Sequence, residues 1–421
     1  MAAKKKEINE DDIFAEIAQD TGGDVLGQLD NCKFFVDTGN LAVNYICSGR
    51  FINGGIPGQR ITEIYGPSAS GKSLYASNIL FGCQKLNGWA VLLDCENASN
   101  AEWMEKASHL NTNRVLRYTP HTLEAAFLQI SETVRKLRAY EKKEKMDRRP
   151  IIVVYDSISV SPCEREYRET DLPKDYKPSD WKKIVGAKEQ PGERARICSK
   201  ELRKLQPMLE KEDVTVVIIN QTRDKIGVLY GSPETTAGGG NSLPFYASCR
   251  LRTQQQKKIE HKKLKSYCGI NMKVQNIKNR AFRPFVKHEN IKLYFDTGIN
   301  PVTGLLSALL EEEAITGGKS GGNYKVAENY LPEGKKEYKF KSSQERNDVP
   351  VQLLLDCPSL IGATTEAEVR EYLMPFEAAI NYTNSDNFTE KKIAFDIDGN
   401  PIDDDDDYDV EEEDLEEEDD E

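Results

Sequence analysis

The stretch "RITEIYGPSASGKSLYASNIL" restricts the chain more than any other. It places Gly66, Gly71, Lys72 and Ser73 in the GxxxxGK[ST] spacing, with an apolar strand before and a helix after, the context in which that spacing makes a phosphate-binding loop. The loop residues Gly66, Pro67, Ser68, Ala69, Ser70 and Gly71 offer backbone N–H groups to a phosphate, and the following helix adds its positive dipole end. Lys72 reaches the β- and γ-phosphates and Ser73 holds Mg²⁺. A chain with this loop must supply a parallel sheet around it. Short Val- and Ile-rich runs do so: "RITEIYG", "AVLLDCE", "PIIVVYD" and "VTVVIIN" alternate with helical stretches at 74–86, 122–140 and 194–209. The pattern predicts an α/β fold, a mostly parallel sheet flanked by helices on both faces. The later runs "CRLRT", "GINMKVQNI" and "IKLYFD" predict an antiparallel extension.

Two strand ends carry the next carboxylates. "IIVVYDS" ends on Asp156, the position for a carboxylate that orients Mg²⁺ and its water. "AVLLDCE" ends in Asp94 and Glu96, which alternation puts on the same side at the ligand-binding edge of the sheet. One of them can act as general base for an attacking water, and order along the chain favours Glu96.

After "VTVVII" comes "NQTRDKIGVLYGSPETTAGGGNS", more than twenty polar, glycine-rich residues where a short turn would serve. Loops of that length in compact domains are functional or disordered. Here glycines, threonines, Arg223 and Lys225 suit phosphates, while Ile226, Val228, Leu229 and Tyr230 suit stacking between bases.

The stretches "ITEIYGPSASGKSLYASNIL", "VIINQTRDKIGVLYGSPETTAGGGNSLPFYASCRLRT" and "VQNIKNRAFRPF" together resemble the bacterial RecA recombinase and its phage counterparts, over about residues 25–310. The resemblance implies a RecA-like P-loop ATPase core that uses ATP and Mg²⁺. It implies Glu96 as the water-activating carboxylate, Trp103 stacking on adenine with Asn100 beside it, and Gln221 as the γ-phosphate sensor. Lys278 and Arg280 fall where two basic residues reach a neighbour's ATP; the family pattern has lysine at both. Residues 222–242 become the second DNA-binding loop, with Arg223, Lys225, Ile226, Tyr230, Gly238, Gly239 and Gly240 as contacts. The first loop, near 159–193, is longer than in the bacterial pattern, and Arg196 and Arg203 on the following helix match positions that contact the DNA backbone.

The implied function is a DNA-dependent ATPase that forms a helical filament on single-stranded DNA and catalyses homologous pairing and strand exchange with double-stranded DNA, in recombination and repair. Single-strand-binding and mediator proteins would be its accessory partners. Three other readings use the same phosphate loop: a hexameric helicase or translocase motor, a P-loop phosphotransferase, and a mediator that does not hydrolyse ATP. About sixty residues precede the loop, short for a helicase collar; a kinase leaves the glycine-rich loop unexplained; intact Lys72, Asp156 and Glu96 argue against a mediator.

The expected organisation is an N-terminal oligomerisation segment at 1–30, whose Ile13, Phe14, Ile17 and Ala18 share a helical face; the core at 31–300; a small α+β C-terminal domain at 301–400; and an acidic tail at 401–421. From Asp403 to Glu421, 16 of 19 residues are Asp or Glu, against 70 acidic and 57 basic residues in the whole chain. The body is therefore close to neutral and the tail is a polyanion, expected to be disordered and to compete with DNA for a basic groove. Scattered cysteines, the missing apolar leader and the lack of any 18-residue apolar run point to a cytoplasmic protein without a membrane segment. The region after 310 is closer to phage recombinases, which would make that the host cytoplasm.

Overall fold

The Val- and Ile-rich runs form the middle of one large sheet. The computed structural model describes residues 10–23, 25, 32–168, 192–224, 234–236, 240, 242–318, 323–341, 349–384, 388–392, 394–395 and 401–402. The strands are β1 (Ile61–Gly66), β2 (Trp89–Asp94), β3 (Val115–Tyr118), β4 (Ile151–Asp156), β5 (Val214–Asp224), β6 (Glu234–Thr236), β7 (Cys249–His261), β8 (Tyr267–Asn279), β9 (Lys287–Tyr294) and β10 (Gly298–Ile299). Their order across the main path is β10-β9-β8-β7-β1-β5-β4-β2-β3. From β7 to β3 every pairing is parallel; β8, β9 and β10 extend it antiparallel.

Side chains alternate across this sheet as a two-residue period requires. Ile151, Val153 and Tyr155 enter one hydrophobic cluster, and Ile152 and Val154 the other. The first face is covered by α5 (Leu123–Glu144) and α6 (Glu193–Lys211), the second by α2 (Leu41–Ser48) and α3 (Lys72–Lys85). Helices on both faces explain why the central strands are buried and largely apolar.

Several elements lie where the sequence shows no clear period. Helix α2 is buried on every side, so it carries no amphipathic stripe. Its ends are set locally: the Asn40 side chain accepts from the Val43 N–H, and Gly49 closes it at φ 73°. Strand β3 has only half-buried and exposed positions. The long polar segment after Asn220 begins as strand, not loop: β5 runs on to Asp224 and pairs antiparallel with β6, Thr222 opposite Thr236.

Residues Ile315, Val326, Phe340, Leu353, Leu360 and Phe376 from the C-terminal part belong to the same cluster as Ile64, Leu74 and Val154. The C-terminal part thus shares the core beneath α3. Tyr372 anchors it, donating to Asp37 at 3.1 Å while the Lys85 ammonium lies 4.5 Å above its ring. At the other end, α1 (Glu10–Thr21) leaves Ile13, Phe14 and Ile17 at 40%, 63% and 54% exposure. No helix among the described residues is long and apolar enough to cross a membrane.

Candidate functional site

The phosphate loop sits between β1 and α3. Gly71 at φ 80° and Ala69 at φ 56° curl the backbone into the left-handed region. A Cβ on Gly66 would lie 2.2 Å from the Thr253 carbonyl oxygen of β7, so only glycine fits. Ser68, Ala69 and Ser73 are exposed, Pro67 is half-buried and Ser70 is buried against Thr253, Oγ to Oγ 2.8 Å. Lys72 bends back into this curl, donating to the Gly66 carbonyl at 3.0 Å and to the Pro67 carbonyl. Burial lowers its ammonium to about 8, although Asp156 and Glu96 pull the other way.

Asp156 closes the far side. Burial pushes its carboxyl up to about 6; the hydrogen bond from Ser73 opposes that, the negative charges of Glu96 and Asp94 add to it, and Lys72 opposes it. A hydroxyl and a carboxylate joined at a helix N-terminus form an all-oxygen donor set, which suits Mg²⁺.

Asp94 and Glu96 part ways. Asp94 is buried and engaged: Arg117 of β3 donates to its Oδ2 at 2.7 Å, and the Ala98 and Ser99 N–H groups donate at 3.2 and 3.1 Å. Despite burial, these bonds hold its carboxyl below the usual range. Asp94 shapes the turn that carries Glu96. Glu96 is exposed and makes no ion pair among the described residues. Its Oε1 accepts from the Ser157 hydroxyl at 2.6 Å and from Gln221 Nε2 at 3.3 Å, and its Oε2 has no partner among the described residues.

Trp103 and Asn100 stand on the rim at α4 (Ala101–Ser108). Asn100 caps the helix, its Oδ1 accepting from the Trp103 N–H at 3.0 Å. Trp103 is half-buried against the core, and its indole N–H donates to the Phe295 carbonyl at 3.0 Å.

Lys278 and Arg280 are not brought to this loop. Val274 pairs with Thr253 beside Gly66, and Lys278 with Arg250. Four residues of strand therefore separate Lys278 from the level of the phosphate loop, about 13 Å. Lys278 donates to the Pro244 and Phe245 carbonyls of α7 (Ser242–Tyr246) at 2.8 and 2.9 Å. Burial, Arg280 and Arg250 lower its ammonium. Arg280 is exposed, and Phe245, whose carbonyl Lys278 holds, is 69% exposed, a residue with nothing in its sequence context to single it out. Beneath them Arg250 pairs with Glu63, which is 0% exposed, at 2.5 Å, and Asn220 donates to the same carboxylate at 2.9 Å.

The described residues that flank 169–191 and 225–239 converge at the start of α6. Arg194 donates to the Ile158 carbonyl and to the Ser159 carbonyl at 2.8 Å, just past β4. Ser242, at the end of the second loop, donates to the Ala195 carbonyl at 3.4 Å, and Gly240 (φ 55°) packs on Ala195. Arg196 and Arg203 lie one above the other on the exposed side of α6. The Arg223 backbone is in β5; Lys225, Ile226, Tyr230, Gly238 and Gly239 lie outside the described residues.

The family model for the RecA N-terminal domain matches residues 13–156 and 182–300. The chain belongs to the RecA family. The Protein RecA of Syntrophus aciditrophicus is 34% identical over 284 residues, 67% of this chain and 73% of that protein. The Protein RecA of Thermus aquaticus is 31% identical over 323 residues, 75% and 84% respectively. That of Chlorobium limicola is 31% identical over 333 residues, 79% and 84%. The RecA match leaves out residues 157–181. As a RecA-type recombinase the chain is a DNA-dependent ATPase that forms filaments and catalyses homologous pairing and strand exchange.

Proposed function

We propose that hydrolysis uses Glu96 as general base, with the triphosphate of ATP held by the 66–73 loop. The carrying observation is the division of labour at the end of β2: Asp94 is consumed by Arg117 and two backbone donors, while Glu96 keeps one oxygen without a partner among the described residues. Lys72 exchanges its two carbonyl partners for phosphate oxygens. Ser73 and Asp156 would hold Mg²⁺, whose charge would offset that of the phosphates. Glu96 Oε2 takes a proton from a water whose oxygen bonds to the γ-phosphorus in line as the bond to the β–γ bridging oxygen breaks, so ADP and inorganic phosphate leave. Gln221 has one amide hydrogen on Glu96 and a second to offer the γ-phosphate, at the top of the strand that leads into the second loop. A change of phosphate state can thus bias that loop between two arrangements.

Lys278 and Arg280, too far from their own chain's loop, serve the ATP of the adjacent subunit, and the apolar stripe of α1 packs on a neighbouring copy. Trp103 stacks on adenine, with Asn100 beside it. Arg196, Arg203 and the loops near 159–193 and 222–242 carry the DNA. Glu96→Gln tests the assignment. Turnover should fall at least a hundredfold while nucleotide-dependent binding to single-stranded DNA persists. Turnover within a few-fold of the unmodified protein would remove Glu96 from the chemistry.

A further inference from the structure

Glu96 Oε1 receives two hydrogen bonds, and they arrive from different loops. Gln221 stands at the stem of the second. The other donor, Ser157, is the first residue after β4, at the stem of the first loop, and it is completely buried. Its Oγ also lies 2.6 Å from Ser159 Oγ. A hydroxyl has one hydrogen. Since Ser157 gives its own to the carboxylate, Ser159 must be the donor in the second contact. The result is a directed chain, Ser159 to Ser157 to Glu96, and such chains strengthen each link.

The far end of that chain is tied to the helix that follows residues 169–191. The Ser159 carbonyl accepts from Arg194 at 2.8 Å, and Arg194 is the second residue of the helix that follows the first loop. The intervening Ile158 N–H donates to the Ile219 carbonyl at 3.2 Å, two residues before Gln221. Displacement of the first loop's stem is therefore transmitted to the carboxylate from one side, as Gln221 transmits from the other.

We propose that Ser157 is a positioning residue for ATP hydrolysis and that Ser159–Ser157 is the route by which the first loop sets Glu96. The inference rests on Glu96 being the general base. With both donors in place Oε1 is saturated and the carboxylate presents Oε2 to the water. When the first loop is not engaged, the serine chain loosens and the carboxylate can turn.

The test uses the full chain with single-stranded DNA, comparing Ser157→Ala, Ser157→Thr, Ser159→Ala and Glu96→Gln. Ser157→Ala should lower the DNA-stimulated kcat about tenfold, the worth of one hydrogen bond to a charged group, with KM for ATP and DNA affinity under a slowly hydrolysed analogue kept within about twofold. Ser157→Thr, which keeps the hydroxyl, should recover most of the rate. Ser159→Ala should reduce the ratio of DNA-stimulated to unstimulated turnover by a smaller factor, about threefold. Full DNA-stimulated kcat in Ser157→Ala, with Glu96→Gln inactive, overturns the inference and leaves the base assignment standing. A parallel loss of kcat, KM and melting temperature in Ser157→Ala makes the residue structural and also overturns it. If Glu96→Gln turns over normally, the base assignment falls and takes the serine route with it.

Discussion

The two perturbed groups of the phosphate site predict how MgATP affinity depends on pH. Lys72 must be an ammonium to hold phosphate, yet burial lowers it to about 8 in the free protein. Above pH 8 binding therefore takes up a proton, and each further pH unit costs about 1.4 kcal/mol, or tenfold in Kd. Asp156 must be a carboxylate to hold Mg²⁺, yet burial raises it to about 6. Below pH 6 binding releases a proton, with the same slope in the opposite direction. Affinity should be flat between about pH 6.5 and 7.5 and weaken about tenfold at both pH 5 and pH 9. Titration of a fluorescent ATP analogue with saturating Mg²⁺, from pH 5 to 9.5, measures it. Lys72→Arg, whose guanidinium does not titrate in this range, should lose the alkaline limb whatever its absolute affinity. Asp156→Asn should lose the part of the acid limb that exceeds the nucleotide's own protonation. A flat profile in the unmodified protein, or an alkaline limb that survives in Lys72→Arg, would refute the reasoning.

Phe14→Glu with Ile17→Glu should prevent self-assembly in light scattering and leave the melting temperature of the monomer within a degree or two, because both side chains are already exposed; retained assembly would remove α1 from the interface. Arg203→Ala should weaken single-stranded DNA binding evenly across sequences and reduce the slope of log K against log salt by about 0.7, the share of one phosphate contact. His288 is buried, with neither ring nitrogen hydrogen-bonded, and burial together with Arg283 lowers it to about 4. Its folded value lies below the unfolded one, so the stability it secures is present above about pH 6.5 and lost as pH falls toward 4, about 3 kcal/mol in all. Urea midpoints across that window should flatten in His288→Leu; an unchanged slope would exclude the residue.

The sequence made the phosphate loop and the central strands legible, because a parallel sheet covered on both faces demands continuous apolar runs. It also placed Asp94 and Glu96 on one side. What separates their roles is Arg117, which comes from β3, a four-residue edge strand too short to show a period. Helix α2 was hidden for the opposite reason: burial on every side removes the stripe that marks a helix. The ladder between β5 and β6 lies within a run read as loop, since its pairing depends on residues ten to fourteen apart. Lys278 and Arg280 could be matched to a role from "IKNR", but their distance from the loop follows only from the register of β7 and β8. Ser157 and Ser159 sit in "DSIS", which carries no chemical signal until the fold brings Glu96 against it.

Electron microscopy of the protein on single-stranded DNA with a slowly hydrolysed ATP analogue tests the central claim, a nucleotide shared by two subunits, most directly. The proposed function predicts a helical filament in which Lys72, Ser73 and Glu96 of one subunit face Lys278 and Arg280 of the next across the triphosphate. A nucleotide enclosed by a single subunit, with Lys278 and Arg280 turned to solvent, would contradict it.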